Sequence, residues 1–275
     1  MSDRGLIDRA LQRQQWIIGA CLVLIVALAW AWLLQTGTWT LVPPKSDPMS
    51  AMPGMAGMQM SPPTDALAVG YLFSTFVMWF LMMTAMMLPS AAPMVLLYAR
   101  VAQNVKAQGR VLAPTLLFVG VYLAIWAAFS LLAAIAQALL VSSGAVSATS
   151  LALGDRRIAG ALLIAAGLYQ LTPLKRACLE SCRAPLSFVT RYWRPDWQGA
   201  ILLGLRHGIY CLGCCWLLMG LLFIGGVMSL VWVAALAVVV LIEKIAPFGR
   251  QAGMLAGALA ALAGAALLAG LHWPL

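Results

Sequence analysis

The sequence predicts an all-α protein, a polytopic transmembrane helix bundle of about seven spans with its N-terminus on the cytoplasmic side. Three observations predict it. Of 275 residues, 63% are hydrophobic and only 9% are charged, where a soluble domain carries roughly 25% charged residues. The apolar residues gather into runs near the ~20 residues that cross a bilayer as a helix. The basic residues fall between those runs, and their bias toward one side sets an orientation. The formal net charge of +9 is therefore read as topology and phospholipid contact, not as a nucleic-acid surface.

The first run, Trp16 to Leu34, follows Arg4, Arg9 and Arg13. A secretory signal begins in the same way, but this run is long enough to span and is read as an uncleaved first helix. Further spans are expected at about 67–88, 112–140, 157–172, 200–224, 228–246 and 252–271. With the N-terminus inside, Arg100, Lys106, Arg110, Lys175, Arg176, Arg183, Arg191, Arg194, Lys244 and Arg250 are also inside. Lys45, Arg156 and Arg157 are left outside. The chain thus divides into a tail and first helix (1–34), a Met-rich extracytoplasmic loop (35–66) and a six-helix domain, expected to bind metal (67–275), and is placed in the cell inner membrane. The fourth span is short, and losing it would invert everything after it.

The outer loop holds Met49, Met52, Met55, Met58 and Met60 among Pro, Gly and Ser. Thioethers suit Cu(I) rather than hard cations, and the spacing of Met52, Met55 and Met58 lets one segment offer several sulfurs to one ion. A low-complexity linker or a surface-lying loop is the alternative. In the second span Met78, Met82 and Met86 form one helical stripe and Met83 and Met87 a second. Methionine also fills core gaps, so one stripe is expected to face a pathway and the other to pack or meet lipid. Pro89 and Pro93 are expected to end or bend this helix and free carbonyls that need partners.

The third span, without a charged residue, reads as scaffold. The fourth offers Gly160, Ala161, Ala165, Ala166 and Gly167 as a close-packing face. After it, Cys178 and Cys182 lie one helical turn apart, suited to holding a soft ion through two thiolates, with structural or redox roles as alternatives. Lys175, Arg176 and Arg183 nearby are expected to favour the thiolates. A disulfide at i, i+4 has poor geometry.

The fifth span carries the most informative stretch, Gly204 to Met219, with Arg206, His207, Cys211, Cys214 and Cys215 inside an apolar run. Ionisable and soft-ligand groups at membrane depth are costly and mark functional sites. At about 100° per residue, His207, Cys211 and Cys214 fall within roughly 60° of one another, with Cys215 beside them. Imidazole and thiolates on one stripe make a soft-metal surface; buried free cysteines acting as small hydrophobes are the alternative. The sixth span follows a Gly225-Gly226 turn and ends at Glu243-Lys244. Glu243 is expected to pair with Arg206 or to orient His207, or else to reach the interface beside Lys244. The seventh, with Gly253, Gly257, Ala261 and Gly264, reads as a packing or dimer face. His272 is read as interfacial.

Four blocks carry a resemblance. They are Trp79-x2-Met82-Met83-x-Ala85-Met86-Met87-x-Pro89, Pro173-Leu-Lys-x2-Cys178-x3-Cys182-Arg, Gly204-x3-Gly208-x2-Cys211-x-Gly213-Cys214-Cys215-Trp216, and Gly226-x-Met228-x3-Trp232 running to Glu243-Lys244. The sequence resembles a bacterial domain-of-unknown-function family of predicted metal-binding integral membrane proteins over about residues 70–250. The resemblance implies metal binding and no particular reaction. Val233 stands where that family carries a methionine.

The reading that follows is a Cu(I)-binding membrane protein for copper transfer or transport, not an enzyme. Outer methionines collect the ion, the Met78/Met82/Met86 stripe carries it, His207, Cys211, Cys214 and Cys215 hold it, and Cys178 and Cys182 hand it over. The partners expected are lipids, the ion, and a copper chaperone or a metalloenzyme subunit. No carboxylate cluster suits Mg, Ca or Mn, and no Gly-x4-Gly-Lys-Ser/Thr loop supports ATP-driven pumping. The alternatives are a transmembrane thiol–disulfide relay through the Cys-x2-Cys spacing and an accessory subunit of a membrane metalloenzyme.

Overall fold

The computed structural model describes residues 3–37, 68–105, 112–144, 146 and 153–270. Met52, Met55, Met58 and His272 lie outside the described residues, as does most of the 35–66 loop. The described chain is helical, joined by turns and one isolated bridge between Val146 and Leu153. Its helices are α1 (Asp3–Thr36), α2 (Val69–Val105), α3 (Leu112–Ser142), α4 (Arg156–Leu171), α5 (Pro173–Arg183), α6 (Pro185–Tyr192), α7 (Trp197–Gly220), α8 (Leu222–Gly225), α9 (Leu230–Ile245) and α10 (Gly249–Leu268).

Five segments are long and apolar enough to cross a membrane: Gln14–Thr36, Val69–Ala102, Leu112–Ser142, Trp197–Gly225 and Gly249–Leu268. α4 and α5, bent by 63° where they meet, make a sixth if counted as one broken span. The expected seven are not reached by length. The cause lies in two prolines. Pro173 starts a new helix, α5, after Thr172, which is left in extended backbone and caps it by accepting from the Lys175 N–H. Ala246, before Pro247, is likewise extended and ends α9 after 16 residues. A helix of that length rises about 24 Å, short of a ~30 Å hydrocarbon core. Val23, Leu24 and Leu28 of α1, Leu116 and Leu132 of α3, and Leu255, Leu259 and Leu262 of α10 all face outward. Such a girdle would be a liability in water and suits a lipid surround.

The prolines of α2 behave differently from expectation. The helix runs through both Pro89 and Pro93. Pro89 lacks the N–H that would bond the Ala85 carbonyl, and the Trp30 indole of α1 donates to that carbonyl at 3.2 Å instead. Two residues further on, the Met87 carbonyl accepts from Ser90 Oγ at 2.8 Å and from the Tyr122 hydroxyl of α3 at 3.2 Å. Neighbouring helices thus supply donors along the stretch that the prolines disturb.

Small residues set the other contacts. α4 lies against α10, so the two stripes read separately from sequence are one interface. A Cβ at Gly167 would sit 2.5 Å from the Gly257 carbonyl oxygen, and one at Gly264 would sit 2.6 Å from that of Gly160. On α7, Gly204 and Gly208 form the matching groove for α3, with Phe118 O 2.7 Å from a Cβ built at Gly204. At the α8–α9 turn, Gly226 takes φ +85, as the glycine pair predicts.

Leucine at position 167 should therefore force α4 from α10 and lower stability by about 2 kcal/mol or more, since overpacking a close contact costs ~1–3 kcal/mol. Thermal unfolding in detergent measures it. Gly19→Leu, where a Cβ meets nothing within 4 Å, should leave the transition in place.

Candidate metal centre

The site is built on α7. Asp196 caps the helix by accepting from the Gly199 N–H at 2.8 Å. From there the stripe His207, Cys211, Cys214, Cys215 faces inward, every member at most 2% exposed, while Leu205, Ile209 and Trp216 face outward. The predicted stripe is therefore buried against protein, not lipid.

Four helices converge on it. Because α3 sits so close at Gly204 and Gly208, the Tyr122 hydroxyl lies 3.2 Å from Cys211 Sγ. From α2, Met87 Sδ accepts from the Cys215 thiol at 3.8 Å. From α5, Cys182 lies beside Cys211 and Cys214, near enough for their charges to interact. Cys178 of the same helix packs onto Gly213, its Sγ 2.9 Å from where a Cβ would be. From α9, Lys244 Nζ donates to Cys211 Sγ at 3.0 Å and to Ser90 Oγ at 3.1 Å. Cys214 and Cys215 each donate to the Cys211 carbonyl at 3.0 Å. All six cysteines are free, and Cys21 lies apart on the exposed side of α1.

His207 sits one turn before Cys211 among the rings of Phe118, Tyr122 and Phe188. Both its ring nitrogens are buried without a hydrogen-bond partner among the described residues. Buried polar atoms are satisfied as a rule, so this imidazole holds an unused donor atom beside the thiols. Among the described residues no three His, Cys, Asp or Glu side chains form a ready ion-binding group. The thiols make a hydrogen-bonded cluster, not a finished coordination shell.

Several expectations need correcting. Glu243 does not meet Arg206 or orient His207. It is 1% exposed and bound to Lys175 Nζ at 2.6 Å and to Gln170 Nε2 at 2.8 Å. Nor does it reach the interface beside Lys244: successive helix residues point about 100° apart, so the two neighbours face different partners. Arg206 instead stacks on the Tyr192 ring, 4.2 Å from its centroid. Arg183 caps α9 by donating to the carbonyls of Glu243, Ala246 and Pro247. With Lys175 and Arg183 so engaged, the cation that meets a thiol is Lys244. Cys182 joins the α7 thiols and is not a separate inner station. Of the methionines, Met82, Met83, Met86 and Met87 are all buried and Met78 is partly buried, so neither stripe meets lipid, and Met87 of the second stripe supplies the thioether contact.

The sequence reading leaves Tyr122 unmentioned and names Met87 only within the second stripe and Lys244 only among the inner basic residues and as the neighbour of Glu243. A signal existed for two of them, since a hydroxyl inside an otherwise apolar run and a lysine at a span's end both need a polar partner.

Thiols, a thioether and an unpartnered imidazole thus lie together among helices apolar enough for a membrane, and these are donor types that suit a soft metal. Residues 76–267 match the model of the PpoB2 family, described as a copper chaperone. The chain belongs to that family. The match begins within α2 and ends within α10, so it takes in every residue of the cluster and leaves out α1 and the Met-rich loop. No curated protein and no solved structure matches the chain significantly.

Glu243→Gln should leave Lys175 buried beside a neutral partner and lower stability by roughly 3–5 kcal/mol, the usual cost of breaking a buried pair. Arg206→Ala, losing only a partly exposed cation–π contact, should cost under about 1 kcal/mol. Denaturation of both variants in detergent checks the contrast. Equal losses would contradict the assignment of the carboxylate to Lys175.

Proposed function

We propose that the protein is a membrane-embedded Cu(I) chaperone that carries the ion as cargo on Cys182, Cys211, Cys214 and Cys215, with the Met87 thioether at the edge of the set. One observation carries the reading: the buried thiols of α7 lie with the half-buried Cys182 of α5 and the Met87 thioether of α2, while the buried carboxylate of Glu243 is turned to Lys175. Soft sulfur donors select Cu(I) over hard cations. The orphan His207 adds a nitrogen within a turn of Cys211. Zinc is less well matched, because it gains nothing from the thioether.

In this reading the chain lies in the inner membrane with its N-terminus in the cytoplasm. α9 makes the seventh crossing within a locally thin or protein-lined region. Met52, Met55 and Met58 gather the ion outside, and the stripe of Met78, Met82 and Met86 lines the way to the cluster. Cys178, seated behind Gly213, is a reserve thiol on the exit side. The protein performs no reaction of its own and passes copper to a partner apoprotein.

One contact favours a second reading, a thiol–disulfide relay. Cys182 meets Cys211 and Cys214 across a helix boundary, so a bond between them would cross-link α5 to α7. Two thiols would give two protons and two electrons to an external disulfide.

Metal analysis of the purified chain from copper-grown cells separates the two. Copper should accompany the wild type, and the Cys211/Cys214/Cys215→Ser variant should lose nearly all of it. Metal-free wild type that loses the mass of two hydrogens on mild oxidation would replace the chaperone with the relay.

A further inference from the structure

Lys244 is only 6% exposed, and its ammonium sits between Cys211 Sγ and Ser90 Oγ. Lysine is seldom buried without an anionic partner, because desolvating its charge is costly. The carboxylate next to it in sequence is committed to Lys175. Nζ touches Cys211 Sγ from α7 and Ser90 Oγ from α2, and its charge acts also on Cys214, Cys215 and the Tyr122 phenol. The same charge reaches His207. Among the described residues this cation is thus met by sulfur and hydroxyl groups.

Cu(I) bears the same single positive charge and seeks the same sulfur. We propose that the Lys244 ammonium is a tethered substitute for the ion: it occupies the cation's place against Cys211 in the copper-free protein, and copper enters and leaves by exchanging with it. This rests on the reading of the cluster as a Cu(I) site. In the exchange the N–H···S hydrogen bond breaks and a Cu–S bond forms to the Cys211 thiolate, each further thiol that joins the ion loses its S–H proton to the partner or to water, and Nζ stays on Ser90 Oγ. No electron moves. Two like charges at such range repel strongly where water is excluded, so the ammonium and the ion compete for one sulfur. The linkage is reciprocal. Whatever holds Nζ on Cys211 weakens copper, and copper drives Nζ off. Lys244 is a positioning residue in this scheme, one that keeps a thiol-rich site from holding its cargo too tightly.

The test uses the full chain in detergent under reducing, oxygen-free conditions, with Cu(I) itself as probe and a chromophoric Cu(I) chelator as competitor. Lys244→Leu removes the charge and adds no ligand; Lys244→Arg keeps the charge. The leucine variant should hold Cu(I) about tenfold more tightly, within the range of ordinary coupling, and release it more slowly to the chelator. The arginine variant should stay near the wild type. Ser90→Ala, which removes the resting place of the displaced ammonium, should weaken binding several-fold, and it decides the matter if the leucine variant does not fold. A folded leucine variant with unchanged or weaker binding overturns the proposal, as does an arginine variant that binds as tightly as leucine. If leucine cannot be tested, wild-type binding in Ser90→Ala does the same. Wild-type protein that takes up no Cu(I) removes the chaperone reading as well. Cysteine-dependent uptake that is indifferent to Lys244 removes the exchange alone.

Discussion

A charge carried into an apolar helix bundle must be answered by another group of the protein, because no water is at hand to do it. In this chain that demand falls on Glu243, and its answer fixes the geometry of the site. The carboxylate draws Lys175 from α5 and Gln170 from α4, and the end of its own helix is capped by Arg183. α5 is thereby tied to α9 at both of its ends. A helix held at both ends presents the residues between them in one orientation, and those residues include Cys178 and Cys182. The ion pair holds no metal ligand, yet it decides that Cys182 reaches Cys211 and Cys214.

The same logic of forced approach operates without charge elsewhere. Glycines 204 and 208 let α3 come close enough for a tyrosine hydroxyl to touch a thiol on α7. Gly213 leaves the hollow that Cys178 fills. On α2, Pro89 removes one donor, and α1 supplies its replacement through Trp30. Each of these is a local defect in an otherwise regular helix, and each is matched by a side chain from the next helix. The cluster sits where such defects accumulate, at the meeting of α2, α3, α5, α7 and α9.

That pattern explains what could be read from sequence and what could not. Helical class, the inward thiol stripe and the small-residue faces follow from periodicity along one segment, and the structure places them as periodicity predicts. The partners do not follow, because they depend on how segments rotate against one another. Arg206 and Glu243 are a plausible pair on charge alone, but Glu243 had a buried lysine to satisfy, and Arg206 had an aromatic ring at hand. Two methionine stripes look equivalent on a helical wheel until α7 arrives on one side and selects Met87. The fourth and sixth spans end where the sequence places them, at Thr172-Pro173 and Ala246-Pro247, and those prolines leave both helices at 16 residues, too short to count as full crossings by length.

The cluster's incompleteness bears on its role. A site meant to keep its ion for good has its donors fixed in a closed shell, each oriented by a partner that wants nothing else. Here the sulfurs are hydrogen-bonded to a backbone carbonyl, a thioether, a phenol and an ammonium, and the one imidazole nearby is left unsatisfied. In the proposed role an ion that binds displaces some of these hydrogen bonds, and its release restores them. Those competing bonds lower affinity by what they themselves are worth, each about a kilocalorie per mole in the ordinary neutral case and more where one partner is charged. A resident cofactor gains nothing from that arrangement. A carrier does, because a stable metal-free state is the state it must return to after every delivery.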